Sequence, residues 1–283
     1  PDFLNNRWLY IYYLRRENGK CGDQGPRNRL SRFVVKADNT VDASSEVRLF
    51  QTVPVARIRH HAGDTAFGKD GYLYVTVGDN DLRSDRVSQN LGNLYGSVLR
   101  ITDTGGIPSD NPFTGPTSAR CSETGRVPEG KAQCNEIFAY GLRNPFRFAM
   151  DPNTPAGVVR FLISDVGAEA WEEINEGGDV FAKANYGYPI REGPCRLASQ
   201  TVCPNPPEDL QDPLFWSAHP PGGGSAAVGI EIPPNGLWPS EYNNSFLYLD
   251  YVQGKVFHVT RDSSNACQSC SRSVRDSLVD STS

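Results

Sequence analysis

Three short stretches of this chain carry residues whose types and spacing could do chemistry. The first is His60-His61-Ala62-Gly63-Asp64, followed through Phe67-Gly68-Lys69-Asp70-Gly71 and Tyr74 by Gly78-Asp79. A histidine just before one strand and an aspartate at the end of the next could meet on a common axis. The carboxylate would accept one imidazole N–H, fix the tautomer and leave the other ring nitrogen as a base. Taken alone, a His-His pair before glycine fits a simple polar turn better.

The second stretch is Tyr140-Gly141-Leu142-Arg143-Asn144-Pro145-Phe146-Arg147-Phe148. Arg143 and Asn144 sit between apolar neighbours and a strand-breaking proline. A guanidinium is always charged, and its planar fork suits carbonyl or carboxylate oxygens. A buried structural ion pair would need the same residues. The third stretch runs Asp165-Val166-Gly167-Ala168-Glu169-Ala170-Trp171-Glu172-Glu173-Ile174-Asn175-Glu176. So many carboxylates cannot all ionise side by side, because like charges raise one another's pKa. A hard cation with oxygen ligands would resolve the conflict, and Gly167 frees backbone carbonyls to face one. The other reading is a solvated acidic face on a helical turn over 169–176.

The elements that must position these residues read as hairpins. Turn residues lead into an alternating apolar strand and then a second strand in four places. Asn5-Asn6-Arg7 precedes 8–13, with 29–35 following. Lys69-Asp70-Gly71 precedes 72–77, with 97–101 following. Asp151-Pro152-Asn153 precedes 158–164, and Asn243-Asn244-Ser245 precedes 246–251 and 255–260. Asp-Gly and Asn-rich corners flanked by period-2 apolar residues tolerate the positive φ of hairpin turns. Units recurring every ~60–90 residues predict a radial array of antiparallel sheets with decorated loops, a β-propeller rather than a β-sandwich.

The totals agree with an all-β chain. Of 283 residues, 38% are hydrophobic, and 27 Gly and 21 Pro favour many short strands. No run approaches the ~18 apolar residues of a membrane span. A net charge of −5 without a basic run argues against a nucleic-acid partner. Six of the seven cysteines fall into close pairs, and no histidine lies near enough for a zinc finger. Disulfides are therefore expected at Cys121–Cys134, Cys195–Cys203 and Cys267–Cys270, leaving Cys21 over. Disulfides imply an oxidising compartment, and Asn243-Asn244-Ser245 is a permitted glycosylation sequon. The chain opens on Pro1 in mid-pattern, so its true start is expected to lie upstream.

Together and in this order, the three stretches resemble the soluble quinoprotein glucose and aldose-sugar dehydrogenases, the glucose/sorbosone dehydrogenase family. Its animal relatives include hedgehog-interacting-protein-like proteins. The likeness extends over Pro1-Asp2-Phe3, Asn6-Arg7, Leu94-Tyr95-Gly96, Leu99-Arg100-Ile101 and Asn111-Pro112-Phe113. It continues through Asn185-Tyr186-Gly187-Tyr188-Pro189, Arg191-Glu192-Gly193, Asp250-Tyr251 and Gly254-Lys255. The resemblance implies a six-bladed β-propeller of four-stranded antiparallel blades, holding pyrroloquinoline quinone and calcium. It implies His60 as general base, Asp79 as the carboxylate orienting it, and Arg143 with Asn144 as contacts to the cofactor. The carbonyls of Gly167 and Ala168 match those that hold the cofactor's calcium. Glu173 and the Tyr186 carbonyl match ligands of a second, structural calcium. The implied reaction oxidises an aldose at its anomeric carbon to a lactone, with the electrons passing to an acceptor the sequence does not name. A secreted or periplasmic setting follows.

Departures from the family pattern matter too. Arg59 stands where the glucose dehydrogenase has a carboxylate, Val166 where it has an amide, and Val252 supplies no cationic contact, with Lys255 offset by three. Residues 1–283 are expected to form one propeller domain truncated at both ends, about four blades of six. Two other functions fit a propeller: a non-catalytic hedgehog-interacting-type binding module, and a calcium-dependent lactonase. The first would lose the His–Arg–Asn set. The second would line the axis with carboxylate and amide side chains.

Overall fold

The computed structural model describes residues 2–16, 25–55, 57, 59–196, 209–261 and 271–277. Four antiparallel sheets follow one another along the chain. The first joins β1 (Trp8–Arg15), β2 (Arg27–Val35) and β3 (Val41–Gln51) in sequence order. The second begins with β4 (Thr65–Phe67), β5 (Leu73–Val77) and β6 (Ser97–Ile101). The chain then makes an excursion containing the short parallel pair β7 (Ser118–Ala119) and β8 (Gln133–Cys134), and returns as the edge strand β9 (Ile137–Tyr140). The third sheet repeats this plan with β10 (Pro145–Met150), β11 (Arg160–Asp165) and β12 (Trp171–Gly178). Its excursion carries the hairpin β13 (Arg191–Glu192) and β14 (Cys195–Arg196) before the edge strand β15 (Phe215–Ala218). The fourth runs β16 (Ala227–Glu231), β17 (Ser245–Asp250), β18 (Lys255–Thr260) and β19 (Ser271–Ser277).

Strand periodicity explains how the sheets stack. Successive side chains point to opposite faces, so a strand buried on both sides feeds two cores. On β5, Leu73, Val75 and Val77 enter a core with Leu30, Leu49 and Phe50 of the first sheet, whereas Tyr74 points the other way. Tyr74 packs with Phe138 of its own sheet and with Phe148, Phe161 and Ile163 of the third. Across the third sheet, Leu162 and Ile174 then meet Ala227, Phe246, Tyr248 and Phe257 of the fourth. There are thus three cores between four sheets, and both middle sheets are buried on two faces. A sandwich has one core between two sheets, so that alternative is excluded. The first strand of the third sheet, β10, packs against β4 and β5 before it and β16 after it, which lines up the leading strands side by side.

One element differs from the sequence reading. No helical turn forms over 169–176; that stretch holds strand β12, paired with β11 on one side and β15 on the other. The Glu-rich run and the Trp171/Ile174 spacing favour a helix locally, but two flanking ladders satisfy the same backbone groups and win. Nor is the run a solvated acidic face: Glu172 and Glu173 are buried. The Cys121–Cys134 disulfide is present, with Cα atoms 5.5 Å apart. Beside it, the buried Glu136 carboxylate accepts the N–H groups of Cys121 and Ser122. Cys21, Cys203, Cys267 and Cys270, and so the other two expected bridges, lie outside the described residues.

Candidate functional site

The candidate residues lie where leading strands begin and second strands end. His60 precedes β4, Asp79 follows β5, Arg143 and Asn144 precede β10, and Gly167 follows β11. A recurring device fastens these ends. Asp165, closing β11, accepts the N–H of Arg143 at 2.9 Å and of Asn144 at 2.6 Å. Asp250, closing β17, likewise accepts from Ala226 at 3.2 Å and from the Ser225 hydroxyl. In the second sheet the corresponding carboxylate, Asp79, takes a side chain instead: His60 Nδ1 lies 2.6 Å from its Oδ1.

That pairing settles the tautomer. A carboxylate accepts, so Nδ1 carries the proton and Nε2 is left with its lone pair. Asp79 is fully buried and its Oδ1 also accepts the Asp81 N–H, which prevents it from swinging away. The backbone here is strained: His60, Asn80 and Asp81 all sit at φ 56, a left-handed region that non-glycine residues seldom occupy. Gly78 is what lets these loops close, since a Cβ there would lie 2.2 Å from the His60 carbonyl oxygen. A cleft of about 380 Å³ opens on His60, Asn144, Tyr12, Asn28, Phe146 and Arg147.

Hydrogen bonds tie the first two stretches to the third. The Asp79 N–H donates to the Arg143 carbonyl at 2.8 Å, and the Ala62 N–H to Asn144 Oδ1 at 3.3 Å. Arg143 Nη1 donates to the Val166 carbonyl at 2.8 Å. Within this network Arg143 Nε and Asp79 Oδ2 are buried without a hydrogen-bond partner among the described residues. Tyr188, which sequence reasoning did not assign, joins them: burial pushes its phenol up to about 12, the Asp79 charge adds to the rise, and Arg143 opposes it.

The loop from Val166 to Trp171 is turned inside out by another residue the sequence reading left unassigned. Glu192 Oε1 accepts the N–H groups of Ala168, Glu169, Ala170 and Trp171 at 2.7, 2.7, 3.0 and 3.1 Å. In a trans peptide the carbonyl of one residue points opposite to the N–H of the next. The carbonyls of Gly167 and Ala168 therefore face away from Glu192, and neither accepts a hydrogen bond among the described residues. Gly167 is required, because a Cβ there would overlap the Trp171 carbonyl oxygen at 1.6 Å. Beneath the loop, Asp165, Glu172, Glu173 and Glu192 are all buried. Burial pushes the Asp165 and Glu173 carboxyls up, Glu173 to about 7, and the charge of Glu173 adds to the rise at Asp165.

His60, Asp79, Arg143, Asn144 and the 166–168 loop thus form one connected site. Glu173 faces Asp165 across the β11–β12 ladder. Glu173 accepts from the Gly193 N–H and from Asn175 Nδ2, whereas the Tyr186 hydroxyl donates to the Glu176 carbonyl at 2.8 Å. Among the described residues, the one cluster of three metal-ligating side chains is Cys121, Cys134 and Glu136, whose sulfurs are bonded to each other. Val252, without a cationic contact in the sequence reading, is exposed. No helix is long and apolar enough to cross a membrane among these residues.

These features belong to a recognised class. The glucose/sorbosone dehydrogenase family profile matches residues 1–234, and the chain belongs to that family. The aldose sugar dehydrogenase YliI of Escherichia coli is 32% identical over 197 residues, 67% of this chain and 44% of that protein. The HIPL1 protein of Arabidopsis thaliana is 36% identical over 59% of this chain and 24% of its own length. Quinoprotein glucose dehydrogenase B of Acinetobacter calcoaceticus is 28% identical over 67% of this chain and 38% of its length. The chain thus spans less than half of each of these relatives. In fold it is similar to the crystal structure of the E. coli soluble aldose sugar dehydrogenase in the apo form. The TM-score is 0.69 and the identity 22%, covering 97% of this chain and 70% of that one.

Proposed function

We propose that this chain forms the reacting part of a quinoprotein sugar dehydrogenase that oxidises an aldose at its anomeric carbon to the lactone. The observation that carries the reading is the His60–Asp79 pair beside a cleft, with the Arg143 carbonyl accepting the Asp79 N–H and the Arg143 guanidinium donating to the Val166 carbonyl. Family membership and the quinoprotein among its relatives support it.

The residues present fit pyrroloquinoline quinone and calcium. Arg143 Nε is a buried donor in need of an acceptor, and Asn144 lines the cleft beside His60. The Gly167 and Ala168 carbonyls are hard oxygen donors turned outward over an excess of buried carboxylates, the donor set calcium prefers. Those residues would hold the pair. When bound, the quinone supplies a two-electron oxidant and calcium a Lewis acid. His60 takes the anomeric hydroxyl proton at Nε2, and Asp79 stabilises the imidazolium that results. Arg143 places fixed positive charge against an oxygen that gains negative charge, with no reorganisation needed at that moment. Glu173, which keeps lone pairs beyond the two donors it meets, and the Tyr186 carbonyl are the proposed ligands of a second, structural calcium.

We further read the four sheets as blades of one six-bladed propeller domain, and the enzyme as one exported to an oxidising compartment, given Cys121–Cys134. The test is reconstitution of the full-length protein with quinone and calcium, followed by dye reduction over a panel of aldoses. Aldose-dependent reduction that needs both additions is expected. A protein that binds neither quinone nor calcium would instead fit the non-catalytic binding module.

A further inference from the structure

Glu192 takes no direct part in the chemistry above, yet it organises the loop on which that chemistry depends. We propose that Glu192 is the positioning residue of the cation site: its carboxylate acts as an internal anion around which residues 167–171 wrap, and this sets the outward aim of the Gly167 and Ala168 carbonyls. The inference rests on the calcium reading and adds to it a cause for the loop's shape.

The geometry argues for an anion at this point. Successive backbone N–H groups curled round one concavity make a site for negative charge. Four of them converge on Oε1, within 2.7–3.1 Å, which is more donors than an oxygen's two lone pairs would match one to one. Bonds of this kind to an ionised acceptor are among the stronger hydrogen bonds. Without that acceptor the four N–H groups would be unsatisfied or turn to water, and each peptide that flipped would swing its carbonyl out of place. Glu192 reaches the loop across 24 residues of sequence and is itself only 2% exposed. Its own position is fixed from three sides. It pairs with Cys195 across β13 and β14. Its neighbour Arg191 donates through Nε to the Gly193 carbonyl at 3.0 Å and lies 2.6 Å from Asp212. The Gly193 N–H in turn donates to Glu173. The hairpin is thus a rigid arm that presents a carboxylate to the loop from behind.

Two substitutions separate reach from charge. Glu192→Gln keeps an acceptor oxygen at the same distance and removes the charge. Glu192→Asp keeps the charge and withdraws the oxygen by one methylene. Calcium binding to the full-length protein, without quinone, is measured by titration calorimetry, alongside amide hydrogen exchange at residues 168–171 in calcium-free protein. Outer partners of metal ligands are typically worth ~10–100-fold in metal affinity. Glu192→Asp is expected to lose calcium affinity in that range, Glu192→Gln less, and the four amides of the wild type are expected to exchange slowly. Calcium affinity in Glu192→Asp equal to that of the wild type would overturn the positioning role alone. Rapid exchange of the four amides in calcium-free wild type would overturn it as well, whether or not either variant folds. A wild type that takes no calcium would overturn the calcium reading and this inference together.

Discussion

His60 and Arg143 meet the same site through different physics, and substitution should separate them. A base acts mainly in the transition state, whereas a cation held against an acceptor oxygen also acts in the ground state. His60→Ala is therefore expected to cut turnover by ~10²–10⁴-fold with cofactor affinity largely intact, and Arg143→Ala to damage both. Cofactor titration and steady-state rates on the reconstituted full-length protein read the two effects. Near-normal turnover in His60→Ala would move the base assignment, first of all to His61, which lines the same cleft. Gly167 offers a purely steric test. Its missing Cβ leaves 1.6 Å for an atom that does not exist, so Gly167→Ala must displace the Trp171 carbonyl or the loop itself. Calcium affinity is expected to fall at least tenfold, the scale on which outer-shell changes act, while the far-UV spectrum stays that of the wild type.

At the scale of elements, Glu172 stitches the third sheet to its surroundings. Its Oε2 accepts the N–H of Ala227 at the start of β16 and that of Gly167, and its Oε1 lies 2.8 Å from His219 Nε2. The hydrogen bond to Glu172 holds the His219 pKa above its ordinary 6.5, against the opposing effect of burial. A folded-state pKa raised in this way contributes stability that is full below the unfolded value and is lost as pH rises through the folded one. The stabilising effect of His219, measured as the melting-temperature gap to His219→Gln, should therefore be largest below about pH 6 and shrink as pH rises past the ordinary histidine range. A gap that stayed constant or widened with pH would count against the pair. The disulfide belongs to this scale as well. Cys121 and Cys134 close a loop of sequence separation 13, so the Cys121→Ser/Cys134→Ser double variant is expected to lose about 3 kcal/mol in denaturant titration, the chain-entropy value for such a loop.

Over the whole molecule, stability comes from cores shared between sheets rather than from any one sheet. Phe161 shows this best. Its ring packs on Tyr74 of the second sheet at 5.4 Å and on Phe148 of its own at 5.5 Å, and it is fully buried. Phe161→Ala is expected to cost ~3–5 kcal/mol. Because the same interface carries Asp79 to Arg143 and Ala62 to Asn144, cofactor binding should weaken alongside stability. A variant that lost stability while binding quinone as the wild type does would show that the hydrogen-bonded strand ends hold the site without the core beneath them.

How much of this was legible in advance depends on the range of the interactions involved. Hairpins and strands such as β1, β2, β5, β6, β17 and β18 were readable, because Asp-Gly and Asn-rich turns and period-2 alternation are set by residues close together in the chain. The pairing of His60 with Asp79 was only an open possibility from the residues themselves, and the family resemblance implied it, because the short strand β4 that follows His60 carried no readable signal. The close spacing of Cys121 and Cys134 sufficed for theirs. Strand β12 was not readable: its local composition suits a helix, and only ladders to β11 and β15 on both sides make it a strand. Glu192 stayed hidden for a related reason. A carboxylate next to Arg191 looks like any surface ion pair until the fold carries it 24 residues back to four waiting N–H groups. The sequence by itself determined which residues could act as base, cation and turn, because those are properties of single side chains and short spans. Tertiary structure alone decided which carboxylates are buried and which carbonyls point outward, because burial and peptide orientation are fixed by partners from distant parts of the chain.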